Sequence, residues 1–222
     1  MTPGGIVASA VQRMGSCGRT SWGPMCLRVL MAVAAASSAM PGGARAQDMP
    51  APPEIQAPLL VRILAFERTL HNRVGDTLVI GVLYQPRYRP SLLAERAFLQ
   101  ALEPFREVSG IPVVAVGLEL TGDAALRSQI LAHNVDVLYV TPMRAMTLDT
   151  MRAVAGDVGI LTFSGVPQFV VDGVGVGVDL RGERPHILVN RKALALSQIE
   201  FSAQLLKLAS FVDPDDARPG LP

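Results

Sequence analysis

Between residues 58 and 213, unbroken apolar stretches alternate with charged, amphipathic ones. "TLVIGVLY" (77–84), "IPVVAVGL" (111–118), "VDVLYVT" (135–141) and "VGILTFS" (158–164) are continuous runs rich in β-branched residues. Without polar alternation, such runs predict strands buried on both faces. The segments between them carry apolar residues at helical spacing. "PLLVRILAFERTL" (58–70) sets Leu60, Ile63, Leu64 and Leu70 at helical spacing, with Pro58 suited to a first turn. "PSLLAERAFLQALEPF" (90–105) predicts a helix from near Ser91, and "TGDAALRSQILAHN" (121–134) one with Leu126, Ile130 and Leu131 inward. "RAMTLDTMRAVAG" (144–156) predicts a third, closed by Gly156. Alternation of this kind predicts a parallel sheet covered on both faces.

The pattern then changes. In "VVDGVGVGVDL" (170–180), Gly173, Gly175 and Gly177 recur at a period of two, opposite Val174, Val176 and Val178. A dinucleotide fingerprint needs G-x-G-x-x-G opening a helix. Here a polar turn, "RGERP", and a second strand, "PHILVN", follow instead. The stretch therefore predicts the first arm of an antiparallel hairpin, with a bare face that admits a close neighbour. Two helices are predicted to close the chain: "RKALALSQ", which Asn190 can cap, and "SAQLLKLASFV", with Leu205, Leu208, Ala209 and Val212 on one face. The predicted architecture is a single three-layer, Rossmann-like α/β domain. Its sheet is mostly parallel, with a C-terminal antiparallel hairpin and two closing helices.

The N-terminus reads differently. "MCLRVLMAVAAASSAMPGGARAQD" (25–48) has basic Arg28, a short apolar run from Val29 to Ala36, and Ala44-Arg45-Ala46 before Gln47. That is the layout of a secretory signal peptide, and the run falls short of the roughly 20 apolar residues of a membrane span. The expected organisation is a signal peptide over 1–46, starting at Met1 or Met25, and a flexible Pro-rich linker over 47–57. An α/β domain over 58–213 and a disordered tail over 214–222 follow. After cleavage nothing would span the membrane, and the protein would be periplasmic. Arg13, Arg19, Arg28 and Arg45 leave with the signal, and no acidic residue does, so the formal charge moves from +1 to −3. No nucleic-acid partner is implied, because phosphate backbones need a concentrated positive surface. Cys17 and Cys26 also leave, which removes any disulfide, thiol nucleophile or cysteine ligand.

The last third of the chain resembles the YfiR/HmsC-like family of small bacterial periplasmic proteins. Leu161-Thr162-Phe163-Ser164 is similar to the family's "vLTVSD" strand end, and Gly173 to Val178 to its glycine strand. Asn190 matches the asparagine of "F-x-I-N"; Ser202, Leu205, Leu206, Leu208 and Ala209 match "ISSxLLxLA". The resemblance extends upstream through "LVIGVLY" and "VDVLYVT". It implies a regulatory protein acting from the periplasmic side on an inner-membrane sensor, a diguanylate cyclase or a histidine kinase.

No catalytic set, metal site or cofactor emerges from the residues. His71, His133 and His186 are far apart and lack metal-ligand spacing. Ser164, in "TFSGVP", lacks the flanking glycines of a nucleophile elbow and is expected to cap the next turn. Asp136 begins a strand and Asp149 lies on an exposed helix face, so they do not form a carboxylate pair. Topology suggests a better site, since open parallel sheets bind ligands beyond the carboxyl ends of their strands. There Arg87, Arg89 and Arg144, with Tyr84, Tyr88, Thr141 and Ser164, are candidates for contact with an anionic or peptide partner. A periplasmic small-ligand-binding protein feeding a transporter or sensor is the alternative reading.

Overall fold

The computed structural model describes residues 49–121, 123–144 and 148–212; the expected signal peptide and the expected tail lie outside them. The first half comprises α1 (Pro53–Ala65), α2 (Leu70–Arg73), β1 (Leu78–Tyr84), α3 (Arg89–Leu102), β2 (Glu107–Val108), β3 (Ile111–Glu119) and α4 (Asp123–Ala132). Then come β4 (Val137–Val140), α5 (Leu148–Val158), β5 (Leu161–Ser164), α6 (Pro167–Val171) and β6 (Val176–Arg181). The chain continues with β7 (Arg184–Asn190), α7 (Arg191–Leu196), α8 (Ala203–Leu208) and β8 (Ala209–Val212).

The strands form one sheet in the order β2-β3-β1-β4-β5-β6-β7-β8. β3, β1, β4, β5 and β6 run parallel. β7 returns antiparallel to β6, β8 runs parallel to β7, and β2 pairs antiparallel with β3. Successive side chains on a strand point to opposite faces, so the sheet divides two cores. Tyr139 and Phe163 pack with Leu60, Ile63 and Leu64 of α1 and Phe98 of α3. Leu138 and Val140 pack with Ile130 of α4, Met151 and Val154 of α5, and Phe169 of α6.

This is the predicted fold class, with several elements changed. α1 begins at Pro53 rather than Pro58, and Ala51, Gln56 and Ala57 are fully buried, so part of the expected linker is core. The expected inward Leu131 is 52% exposed, whereas Leu126 and Ile130 are buried. α5 runs through Gly156, and Gly159, at φ 75°, follows its end. β3 is not buried on both faces. Only two residues of β2 cover its outer edge, and Val114 is 47% exposed.

Val170 and Val171 belong to α6, not to the hairpin arm, which starts at Val176 after a turn at Gly173 (φ 124°). The bare glycine face does meet a neighbour: a Cβ at Gly177 would overlap the Val170 side chain. The last helix stops at Leu208, which is 69% exposed, and Ala209–Val212 extends the sheet instead. The open edge of β7 offers backbone partners that outweigh the helical pattern read from the sequence.

Near the amino ends of the central strands an ion pair joins distant parts of the chain. Glu67, its side chain fully buried, accepts two bonds from Arg73, from Nε at 2.6 Å and Nη2 at 2.9 Å. Arg73 also donates to the Asp136 carbonyl at 2.8 Å. Glu67 forms a backbone bridge with Phe201, flanked by Arg68 N–H to Glu200 O and Ser202 N–H to Phe66 O.

Leu205 is 2% exposed, whereas Lys207 is exposed. Leu205→Asp is expected to unfold the domain, because an unpaired buried carboxylate costs several kcal/mol. Lys207→Asp should leave the melting temperature nearly unchanged. Equal melting curves for the two variants would show that α8 is not docked.

Candidate functional site

From β1 the chain moves through α3 to β3 on one side, and then through α4 to β4 on the other. Strand order thus reverses around β1, and the loops leaving β1 and β4 diverge. This is the place where open α/β sheets leave a crevice. A cavity of about 540 Å³ lies there. Residues 85–88 and 119–121, together with Arg144, line it.

Arg144 is held by side-chain amide chemistry. Gln85 donates from Nε2 to the Arg144 carbonyl at 2.9 Å and accepts the Arg144 N–H at Oε1 at 2.8 Å. The Arg144 guanidinium sits over the Tyr88 ring, 4.7 Å from its centroid. Behind Gln85 runs a chain of hydroxyls. The Gln85 N–H donates to Ser91 Oγ at 2.8 Å, Ser91 Oγ lies 2.6 Å from Thr141 Oγ1, and Thr141 Oγ1 donates to the Leu83 carbonyl at 2.8 Å. Since Thr141 spends its proton on Leu83, Ser91 is the donor between the two hydroxyls.

Of the residues expected at this rim, Arg87, Tyr88 and Arg144 line the cavity together. Tyr84 is half-buried at the end of β1, its ring beside Gly117. Arg89 is exposed at the start of α3, outside the cavity lining. Among the described residues, none of the three arginines forms an ion pair. Thr141 and Ser164 are fully buried and cannot touch a partner directly. Ser164 Oγ donates to the Val140 carbonyl at 2.8 Å and accepts the Val166 N–H at 3.1 Å, the turn-capping role its position predicts.

Thr141 is covered by Ser91 of α3, and beyond the end of β5 Gln56 of α1 closes over Gly165. Gln56 accepts the Tyr139 hydroxyl at 2.9 Å and donates to the Ala51 carbonyl. Its amide lies directly over Gly165, where a Cβ would overlap it. Gln85, Ser91, Glu119 and Thr121 were not singled out from the sequence; only their place beside the strand ends signals them.

The glycine and asparagine set is structural. The Gly175 N–H donates to Thr162 Oγ1 at 2.7 Å. Asn190 caps α7 by accepting the Ala193 N–H at 3.0 Å, and donates to the Val170 carbonyl at 2.8 Å. Ser202 precedes α8; its buried Oγ has no hydrogen-bond partner among the described residues. Leu205 is buried and Leu206 half-buried beside it.

Burial displaces the ionisation of Glu95, Asp136 and Tyr139. Glu95, packed against Gly117, has its carboxyl raised above the usual range by burial, partly offset by Arg96. Burial also raises Asp136, at the far edge of the sheet, against the lowering effect of the Val79 N–H that it accepts. The Tyr139 phenol is pushed far up by burial, so it stays a neutral donor. Asp149 is exposed and pairs with Arg152 at 2.8 Å, away from Asp136. His71 and His186 meet Ser109 O and Ser210 Oγ respectively, and no cluster of metal-ligating side chains exists among the described residues.

Thr141→Val breaks the hydroxyl chain while keeping the side-chain shape. It should cost about 1–3 kcal/mol, because Ser91 loses its buried acceptor. Urea unfolding checks this, and an unchanged midpoint would show that the loop is held by other means.

A profile of the YfiR/HmsC-like family matches residues 53–210. No curated protein matches the sequence. Among solved structures, one similar fold is a conserved domain protein from Vibrio cholerae O1 biovar eltor. Its TM-score is 0.53 at 16% identity, over 72% of this chain and 60% of that one. Another is the ABC domain in complex with L-Trp from Streptococcus pneumonia, with TM-score 0.50 at 15% identity, over 72% of this chain and 60% of that one. The chain spans 60% of the length of each, and the likeness is one of fold. No helix among the described residues is long and apolar enough to cross a membrane.

Proposed function

The chain belongs to the YfiR/HmsC-like family, and from that premise we propose that it is a non-enzymatic regulatory protein of the periplasm. It docks on a membrane-bound signalling partner, an inner-membrane diguanylate cyclase or sensor histidine kinase, and thereby modulates cyclic-di-GMP or related signalling. The observation that carries this reading is the cleft at the carboxyl edge. Arg87 and Arg144 stand there without a counter-ion among the described residues, beside Tyr88, on loops outside both cores. Loops on a rigid scaffold can present such groups to a partner without disturbing the fold.

A second reading is a small-ligand-binding protein feeding a transporter or sensor. The cavity, at about 540 Å³, is within the usual size of small-molecule sites. The two readings separate experimentally. A docking protein is captured with a membrane protein after crosslinking, whereas a ligand carrier copurifies with a small molecule detectable by native mass spectrometry.

Arg87→Glu combined with Arg144→Glu should abolish capture from crosslinked membranes, because like charges across an interface cost several kcal/mol. The melting temperature should stay within a few degrees, since surface substitutions usually cost about 0.5 kcal/mol or less. Unchanged capture and unchanged cellular cyclic-di-GMP in a stable double variant would exclude this rim as the interface.

Export is part of the same proposal. The signal layout places cleavage between Ala46 and Gln47, so mass spectrometry of protein taken from cells should find Gln47 first. A dominant full-length cytoplasmic species would contradict it.

A further inference from the structure

We infer that the cleft receives an acidic segment of the partner polypeptide, its carboxylate held edge-on by Arg144, with Gln85 acting as a positioning residue. This inference rests on the docking reading above and specifies the chemistry of the contact.

Arg144 is fixed at both ends. Gln85 pins its backbone through two opposed hydrogen bonds, at 2.9 and 2.8 Å, and Tyr88 lies under its guanidinium. A guanidinium over a ring has that side shielded, and the edge of its planar N–H fork remains for another partner. That edge is the part that binds a carboxylate through two parallel bonds. Among the described residues no carboxylate occupies it, so the donors await an external acceptor. Arg87 adds a second exposed cation to the cavity lining.

The same cavity also carries the opposite sign. Glu119 ends β3 and is exposed to the same cavity, beside Thr121. It repels a second anion and accepts hydrogen bonds. A ligand therefore fits with its carboxylate toward Arg144 and an N–H group toward Glu119. A peptide with an acidic side chain supplies both groups. A free phosphate supplies the anion alone and leaves Glu119 facing negative charge.

The test uses the exported, purified protein and three probes: a six-residue glutamate peptide, a six-residue glutamine peptide, and inorganic phosphate. Binding is followed by calorimetry at low salt and by amide chemical shifts. The glutamate peptide should bind, moving the signals of 85–88, 119–121 and 144. The glutamine peptide should not bind, and phosphate should bind at least about tenfold more weakly. Arg144→Lys keeps the charge but loses the planar fork, and should weaken the glutamate peptide about tenfold. Gln85→Ala should weaken it severalfold without changing net charge, and Glu119→Gln should narrow the gap between the glutamate peptide and phosphate.

Phosphate binding as tight as the peptide, or full affinity in a folded Arg144→Lys variant, would overturn the inference in favour of a non-directional positive patch. If no glutamate peptide binds while the Arg87→Glu, Arg144→Glu variant still loses membrane capture, the acidic contact fails and docking survives. If the peptide binds but capture is unaffected, the docking reading fails and an acid-binding cleft remains.

Discussion

A buried phenol needs a hydrogen-bond partner, and much of this domain is arranged around supplying one. Tyr139 stacks on Phe98 at 3.6 Å and tilts against Phe163 at 6.0 Å, deep between α1, α3 and the sheet. Its hydroxyl ends against Gln56, which is fully buried too and must itself be satisfied, through Ala51. Those demands fix α1 against the sheet and wrap residues 49–52 over its end. Gly165 follows from the same requirement, since any larger residue would collide with the Gln56 amide.

With the edge over β5 closed, the cavity described above lies around β1 and β3. The open part is built from polar interactions rather than apolar packing. The Ser91–Thr141 hydroxyl chain anchors the start of the loop after β1, and Gln85 ties that loop to the backbone leaving β4. One half of the edge is therefore sealed by a glutamine and a tyrosine. The other is braced by a glutamine and an arginine that remains free to meet something outside the chain.

Much of this was legible in the sequence. Continuous apolar runs require two covered faces, and β4 and β5 are buried throughout. An equally apolar run in β3 could not reveal that its outer neighbour is only two residues long. Residues 209–212 suit a helix by periodicity; the unfilled edge of β7, a non-local fact, makes them a strand. Likewise the run of valines and glycines hid the boundary between α6 and β6. At the site, strand order alone brought Arg87, Tyr88 and Arg144 together. Thr141 and Ser164 misled because polar residues at strand ends suggest exposure, and the segment lying over neighbouring Gly165 looked like a proline-rich linker. Gln85 gave no signal, since its partner is a backbone group 59 residues away.

A backbone bridge at Glu67, whose side chain pairs with Arg73, ties the corner after α1 to residues 200–202. A chain that emerges or is threaded N-terminus first presents Glu67 long before Phe201 exists to bridge it. Until then the backbone of residues 66–68 lacks the partners that residues 200–202 supply. Closure of this kind depends on contacts far apart in sequence, which form slowly. This corner therefore cannot close on local contacts alone; it needs residues 200–202, more than 130 positions further along the chain.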